Sequence, residues 1–238
     1  VVTPGRAPPK PFLCPPAGGV DGLTMRDYGH ETLGLVAVSV DFAHSCHTAF
    51  VGLAATMGDS DVHDAAAALG VGSGWGEHLG IAGTFDGSVP VATSKVEKAA
   101  TAFGQAKTSV SPASLAVMAA SVARGSYIEP ALIRTPAVAG ADRTPKPFDA
   151  KATGELRDLM RLAVTKGTAT TAMNGVRGGA VFGKTGTAEF GTSSPPATHA
   201  WFVGWQGTVA FAVFVEEGKS GATVAAPIAK KFLDNIQR

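Results

Sequence analysis

Apolar and polar positions follow two different periods along this chain. From Ser39 to residue 165 apolar residues return every three or four positions, as on a helix. Beyond residue 175 they alternate or run on continuously, as in strands. A helical pattern starts near Ser39 with Val40, Ala43, Ala49, Phe50, Leu53 and Ala54, and Gly58 ends it. The polar group His44-Ser45-Cys46-His47 interrupts it. Asp61 to Leu69 reads as a short helix with Asp61 as cap and Gly70 as stop. Val96 to Phe103 is weakly helical. Ser111-Pro112 opens a clear helix, with Ser at the N-cap and Pro at the first helical position. Leu115, Met118, Ala119 and Val122 give it one apolar face, and Gly125 ends it. Residues 149–165 form a second, with Leu156, Leu159, Met160 and Ala163 as its stripe. Both stripes read as packing surfaces.

Val176 to Ala188, Ala200 to Trp205 and Thr208 to Val215 read as three strands, with Gln206-Gly207 as a short hairpin turn between the last two. Ala222 to Ile236 reads as a terminal helix burying Val224, Ile228, Phe232 and Leu233. Residues 1–34 carry prolines at 4, 8, 9, 11, 15 and 16 and are expected to be irregular. Residues 70–95 and the stretch holding Pro130, Pro136, Pro145 and Pro147 read as connections. No repeat appears, and no boundary divides the chain into two domains. The fold class expected is mixed α+β: residues 35–170 mainly helical, residues 171–238 three strands and a helix.

The remaining composition mainly excludes. The chain has 238 residues and a net charge of +1, which suggests neither a nucleic-acid partner nor a polybasic membrane surface. No apolar run has the length of a transmembrane helix, and no signal peptide opens the chain. Cys14 and Cys46 are the only cysteines. They are compatible with a disulfide in an exported protein and equally with two free thiols. No Cys/His cluster has zinc spacing and no Gly-rich loop precedes a helix, so no metal or cofactor is expected.

Candidate chemistry sits in Gly183-Lys184-Thr185-Gly186-Thr187-Ala188-Glu189. An apolar strand gains nothing from a lysine between two glycines, and glycine within a strand often marks a close approach. One fixed charge, two hydroxyls and no obstructing side chain make an anion-accepting edge. The plainer alternative is a strand end with an exposed lysine. The context, KTGTAE followed by HAWFVGW, resembles the third active-site motif of the penicillin-binding proteins, whose signature set is S-x-x-K, S-x-N and K-T-G. Further matches occur in order. Ala43-His44-Ser45-Cys46-His47-Thr48-Ala49-Phe50 resembles the segment around the second motif. Phe103-Gly104-Gln105 with the Ser111-Pro112 helix, and Gly167-Thr168-Ala169, resemble the segments that lie between. The chain is most similar to class B, monofunctional penicillin-binding proteins of actinobacterial type.

The resemblance implies a β-lactamase/transpeptidase-like fold, an antiparallel sheet flanked by helices. It implies that Ser45 relays a proton, that Lys184 supplies positive potential, and that Thr185, Gly186 and Thr187 bind a substrate carboxylate. Cys46 would lie beside the substrate. The Thr187 N–H would form half of an oxyanion hole, where one donor contributes about 3–4 kcal/mol. Two departures stand out. His47 occupies the position of the family's Asn; imidazole also offers one donor and one acceptor, but in a longer, flatter shape. Secondly, no Ser or Thr in the sequence is followed by Lys at the third position, so the S-x-x-K nucleophile is expected on a segment upstream of Val1. The chain then reads as the C-terminal part of the domain, its third strand left with an open apolar edge.

The function implied is peptidoglycan D,D-transpeptidation through an acyl-serine, with stem peptides as substrate and β-lactams as covalent inhibitors. Cell-wall synthesis machinery would be the partner. The location implied is the extracytoplasmic face of the membrane, with an anchor N-terminal to these residues. The alternatives are a serine β-lactamase or D,D-carboxypeptidase on the same fold, and a non-catalytic sensor or scaffold that binds β-lactams or wall fragments.

Overall fold

The computed structural model describes residues 11–27, 32–133, 135–136 and 138–236. Residues 1–10 and 28–31 of the segment expected to be irregular lie outside these. Its described part is more regular than expected. Four short strands, β1 (Phe12–Cys14), β2 (Ala17–Val20), β3 (Leu23–Arg26) and β4 (Gly34–Val36), pair as β1 with β4 and β2 with β3, both antiparallel. The prolines flank these ladders: Pro11 precedes β1, and Pro15 and Pro16 fall between β1 and β2, where their missing N–H costs no ladder bond.

The helical pattern from Ser39 divides at its polar interruption into α1 (Val38–His44) and α2 (His47–Ala54). Next come α3 (Asp61–Ala68) and α4 (Lys95–Thr101). Asp61 is the first residue of α3 and not its cap; its carboxylate accepts the Gly58 N–H at 3.0 Å. The 70–95 stretch is a loop carrying one 3-10 turn, Trp75–His78. α5 (Pro112–Arg124) is capped as its sequence predicts: Ser111 and Ser114 exchange side-chain to backbone hydrogen bonds, and Gly125 closes the helix in the left-handed region. β5 (Ser126–Tyr127) pairs with β6 (Lys146–Pro147) ahead of α6 (Ala150–Thr165), whose N-cap is Asp149. A single turn, α7 (Thr170–Met173), precedes the sheet.

β7 (Val181–Phe190), β8 (Ala197–Gln206) and β9 (Val209–Val215) form an antiparallel sheet in that order. β7 begins five residues later than its apolar pattern suggested and runs two residues past Ala188, because its pairing with β8 extends from Val181↔Gln206 to Phe190↔Ala197. β8 lies in the middle and is apolar on both faces, as a strand covered on both sides must be. Ala200 and Phe202 face a core shared with Val181, Ala226, Ala229 and Leu233. Val203 and Trp205 face the other, shared with Ala119, Val122 and Met160. Complete burial of a side chain such as Phe202 contributes roughly 2–3 kcal/mol. Among the described residues β9 pairs only with β8, so its outer edge is open, as expected.

A π-helical turn, Gly221–Ala225, leads into α8 (Ala226–Ile236). The expected buried face of this helix is corrected. Leu233 is buried, but Ile228 is 47% and Phe232 43% exposed. The face against the sheet carries Ala226 and Ala229, whose small side chains allow close approach and turn the larger apolar residues outward. Among the described residues no helix is long and apolar enough to cross a membrane.

Candidate active site

Two walls meet at one edge of the sheet. The first is β7. Side chains alternate across a strand, so Lys184 leaves one face while Thr185 and Thr187 leave the other. Lys184 passes over the Phe42 ring, 5.7 Å from its centre, and its Nζ donates to Ser45 Oγ and, at 3.0 Å, to the Thr185 carbonyl. Burial pushes the Lys184 ammonium down from 10.5 to about 8. Thr185 is buried, and its hydroxyl is hydrogen-bonded to that of Thr168 at 2.5 Å. The Thr187 hydroxyl accepts the Gly221 N–H at 3.3 Å, which ties the start of the terminal helix to the strand. Gly221 must be glycine: a Cβ there would lie 2.2 Å from the Trp201 carbonyl and 2.5 Å from that of Gly186.

The second wall is the break between α1 and α2. The N–H groups of Ser45 and Cys46 turn back to the carbonyls of Phe42 and Asp41, at 3.2 and 2.9 Å, which places Ser45 at φ +61°. A residue other than glycine in this region carries a strain of roughly 1–2 kcal/mol, and such strain concentrates at functional sites. A turn reaching over from α6 holds α1 in place: Thr168 N–H donates to the Ala43 carbonyl at 3.0 Å. A Cβ at Gly167 would sit 2.1 Å from that same oxygen. Thr168 thereby links both walls, by its backbone to α1 and by its hydroxyl to β7.

The start of α2 is fixed from below. Cys46 forms a disulfide with Cys14 of β1, so the open choice between a bridge and two thiols is decided for the bridge. The expectation that Cys46 touches substrate is corrected: the residue is 3% exposed and does not line the cleft, because the disulfide draws its side chain into the core. Asp27, also buried, accepts the Thr48 N–H at 3.1 Å, and the Thr48 hydroxyl lies 2.8 Å from the Asp27 carboxylate. Asp27 thus serves one of the N–H groups left free at the head of α2, that of Thr48. The two sulfurs and this carboxylate lie within 4.8 Å of one another, but disulfide sulfurs offer no thiolate to a metal.

His47 stacks on Phe103, with ring centres 4.8 Å apart and planes 11° from parallel. Burial holds its pKa below the ordinary value and Lys184 acts in the same direction; the Asp27 carboxylate and a hydrogen bond to the Arg26 backbone oppose them. The net effect favours the neutral ring. Between the walls lies a cavity of about 400 Å³, lined by Ser45, His47, Phe103, Thr168 and Lys184 to Thr187. Ser45, His47, Lys184, Thr185, Gly186 and Thr187 therefore come together as expected. Asp27, Phe42, Phe103 and Thr168 were given no part in the site; of these, Phe103 and Thr168 lay in segments already matched to the family.

Residues 19–234 match the penicillin binding protein transpeptidase domain. The chain belongs to this family. It is 29% identical to the peptidoglycan D,D-transpeptidase PbpA of Mycobacterium tuberculosis, over 88% of this chain and 46% of that protein. The chain thus spans about half the length of the curated relatives it matches. Pseudomonas aeruginosa PBP2, solved in complex with WCK 5153, superposes with a TM-score of 0.80 at 25% identity, over 96% of this chain and 56% of that one. Penicillin-binding protein A of M. tuberculosis, solved as its penicillin G acyl-enzyme, gives 0.76 at 25% identity, over 98% and 57%. The fold is that of the penicillin-binding transpeptidases, and the class B resemblance stands.

Proposed function

We propose that this chain forms the C-terminal part of a D,D-transpeptidase domain and supplies two walls of an active site whose nucleophilic serine lies outside these 238 residues. The observation that carries the reading is the hydrogen bond from Lys184 to Ser45, which joins the K-T-G strand to the second-motif helix break across one cavity. With its oxygen accepting from Lys184, the Ser45 hydroxyl points its own proton elsewhere and can pass a proton between the attacking serine and the leaving amine. Thr185 and Thr187 hold the terminal carboxylate of a D-Ala-D-Ala stem, and Lys184, hydrogen-bonded to Ser45, adds positive potential beside it. The Thr187 N–H, on a strand edge that needs no reorganisation, stabilises the tetrahedral oxyanion. The serine oxygen bonds to the penultimate carbonyl carbon, the C–N bond breaks, and terminal D-alanine leaves with the relayed proton. An amine of a second stem then takes the acyl group and releases the serine. β-Lactams enter by the same carboxylate contacts.

The buried disulfide suits an oxidising compartment. It supports an extracytoplasmic location, with an anchor outside these residues, beside cell-wall synthesis machinery. Labelling of the full-length protein with a fluorescent penicillin tests the reading. The expected result is a long-lived adduct on a serine followed two residues later by an intervening residue and then lysine, found by peptide mass spectrometry. Loss of the label within seconds would point to a β-lactamase or carboxypeptidase, and reversible binding with no adduct to a sensor.

A further inference from the structure

The two hydroxyls assigned to the substrate carboxylate, those of Thr185 and Thr187, share one requirement. A hydroxyl carries a single proton and two lone pairs. To hold an anion it must turn that proton into the cleft, so the group behind it must be a donor. Behind Thr187 stands the Gly221 N–H, 3.3 Å from its oxygen, which can only donate. The Thr187 proton is thereby left for the cleft. Behind Thr185 stands a second hydroxyl, that of Thr168, at 2.5 Å. One proton lies between these two oxygens. Were Thr185 to supply it, only lone pairs would meet an anion.

The surroundings of Thr168 fit it to be the donor. Among the described residues its hydroxyl has no hydrogen-bond partner besides Thr185, so no other acceptor in the protein competes for its proton. Its backbone is pinned on both sides. The Thr168 N–H donates to the Ala43 carbonyl of α1 at 3.0 Å, and the Ala169 N–H donates to the Ala163 carbonyl of α6 at 3.1 Å. Ala169 is completely buried. Two helices thus hold the Thr168 side chain at the cavity wall. Thr185 is itself buried, which leaves little room for water to take the place of Thr168.

Resting on the transpeptidase reading, we infer that Thr168 is a positioning residue: its hydroxyl donates to Thr185 Oγ1 and so directs the Thr185 proton to the terminal carboxylate of the substrate. Thr168 acts on the substrate through Thr185. Two hydroxyls in series end on an anion, and in such a chain each hydrogen bond polarises the next. No covalent bond is made or broken in it. The contribution is confined to ligands that carry the carboxylate, which distinguishes it from simple support of the fold.

The test uses the full-length protein and compares acylation by benzylpenicillin with acylation by its methyl ester, which lacks the carboxylate. Thr168→Val keeps the shape of the side chain and removes the hydroxyl. We expect it to slow reaction of the acid about 10-fold and of the ester by less than about 2-fold. Thr168→Ser, which keeps the hydroxyl, should stay within about 2-fold of wild type for both. In a Thr185→Val background, Thr168→Val should cost nothing further. Urea unfolding reports on the fold. If Thr168→Val is unstable, Thr168→Ala set against Thr168→Ser repeats the comparison. Equal slowing of acid and ester would make Thr168 a structural support and overturn the proposal. So would an unchanged rate with the acid, or a full penalty in the Thr185→Val background. That double-mutant comparison decides where the ester reacts too slowly to follow. Fluorescent-penicillin labelling of the wild type, run in parallel, separates the two readings. A labelled wild type with no effect of Thr168→Val loses only the positioning role, and an unlabelled one loses the transpeptidase reading as well.

Discussion

Along β7, Lys184, Thr185 and Thr187 fall within four positions of a ten-residue strand, each held by its pairing with β8. Across the cleft, Ser45 and His47 occupy a break between helices of seven and eight residues, too short to be stable alone. Their position depends on ties from far away in sequence: the bridge from Cys14, the Asp27 carboxylate, and the turn at Gly167-Thr168. The strand wall is a local structure that carries charge. The helix wall is an assembled structure that carries strain. One wall should therefore be sensitive chiefly to loss of a side chain, the other to loss of a distant support.

The largest expected effect tests the strand wall. In the full-length protein, Lys184→Met should slow acylation by benzylpenicillin by at least about 100-fold, with no loss in urea midpoint, since the buried ammonium is itself costly to the fold. A loss smaller than 10-fold would remove β7 from the chemistry. The lysine's lowered pKa adds a pH signature. Its cation is present below about pH 8 and is lost as pH rises through that value, so carboxylate binding should weaken there. Fold stability moves the other way. The group is easier to deprotonate folded than unfolded, so its contribution rises between about pH 8 and its ordinary 10.5.

For the helix wall, replacing both cysteines by serine removes a bridge that spans 32 residues. The loop-entropy relation gives a loss of about 3–4 kcal/mol, measurable by urea unfolding. Acylation should slow as well, since Cys46 adjoins Ser45. Unimpaired acylation in a destabilised protein would show that the Ser45 turn holds without the bridge.

Asp41 offers a subtler probe of the same wall. It is fully buried in α1, and among the described residues neither carboxylate oxygen has a hydrogen-bond partner. Burial, aided by Asp27, raises its pKa from 3.8 to about 6. The folded state therefore binds the proton more tightly than the unfolded state. Its contribution to stability should be most favourable below about pH 4, fall between pH 4 and 6, and stay low above, by an amount on the order of 3 kcal/mol. Asp41→Asn should raise the melting temperature at pH 7 and leave it almost unchanged at pH 4. An unchanged melting temperature at pH 7 would mean that the carboxylate finds a partner in the full-length protein.

The smallest effect concerns His47. Asn at this position restores the compact amide of the family, so His47→Asn should speed β-lactam acylation several-fold. An equal or slower rate would mean that the ring stacked on Phe103 serves the site as well as an amide.

The strand wall was readable because its parts are adjacent. Lys184, Thr185 and Thr187 fall within four residues, and the strand, loop, strand pattern marks them from both sides. The helix wall was readable only as an interruption, a polar group set into an apolar helical run. Nothing near Ser45 announces a left-handed backbone, and nothing near Cys46 distinguishes a bridge from a thiol. Asp27 carries no motif; its role follows from lying beneath the head of α2. The exposure of Ile228 and Phe232 escaped for a related reason. Helical period defines a stripe, but the sheet selects which stripe it meets, and it selected the alanines.

Residue order alone therefore established the longer helices and the three strands of the main sheet, the K-T-G edge, the second-motif break, and the absence of an S-x-x-K run from these 238 residues, but not the short strands β1 to β6. All of these depend on neighbours within a turn or a strand. The cleft depends on contacts between residues as far apart as Ser45 and Lys184, 139 positions along the chain. Such contacts exist only once the sheet, the disulfide and the Thr168 turn have closed the intervening loops, and closure reflects packing of the whole domain, to which no short stretch of sequence corresponds.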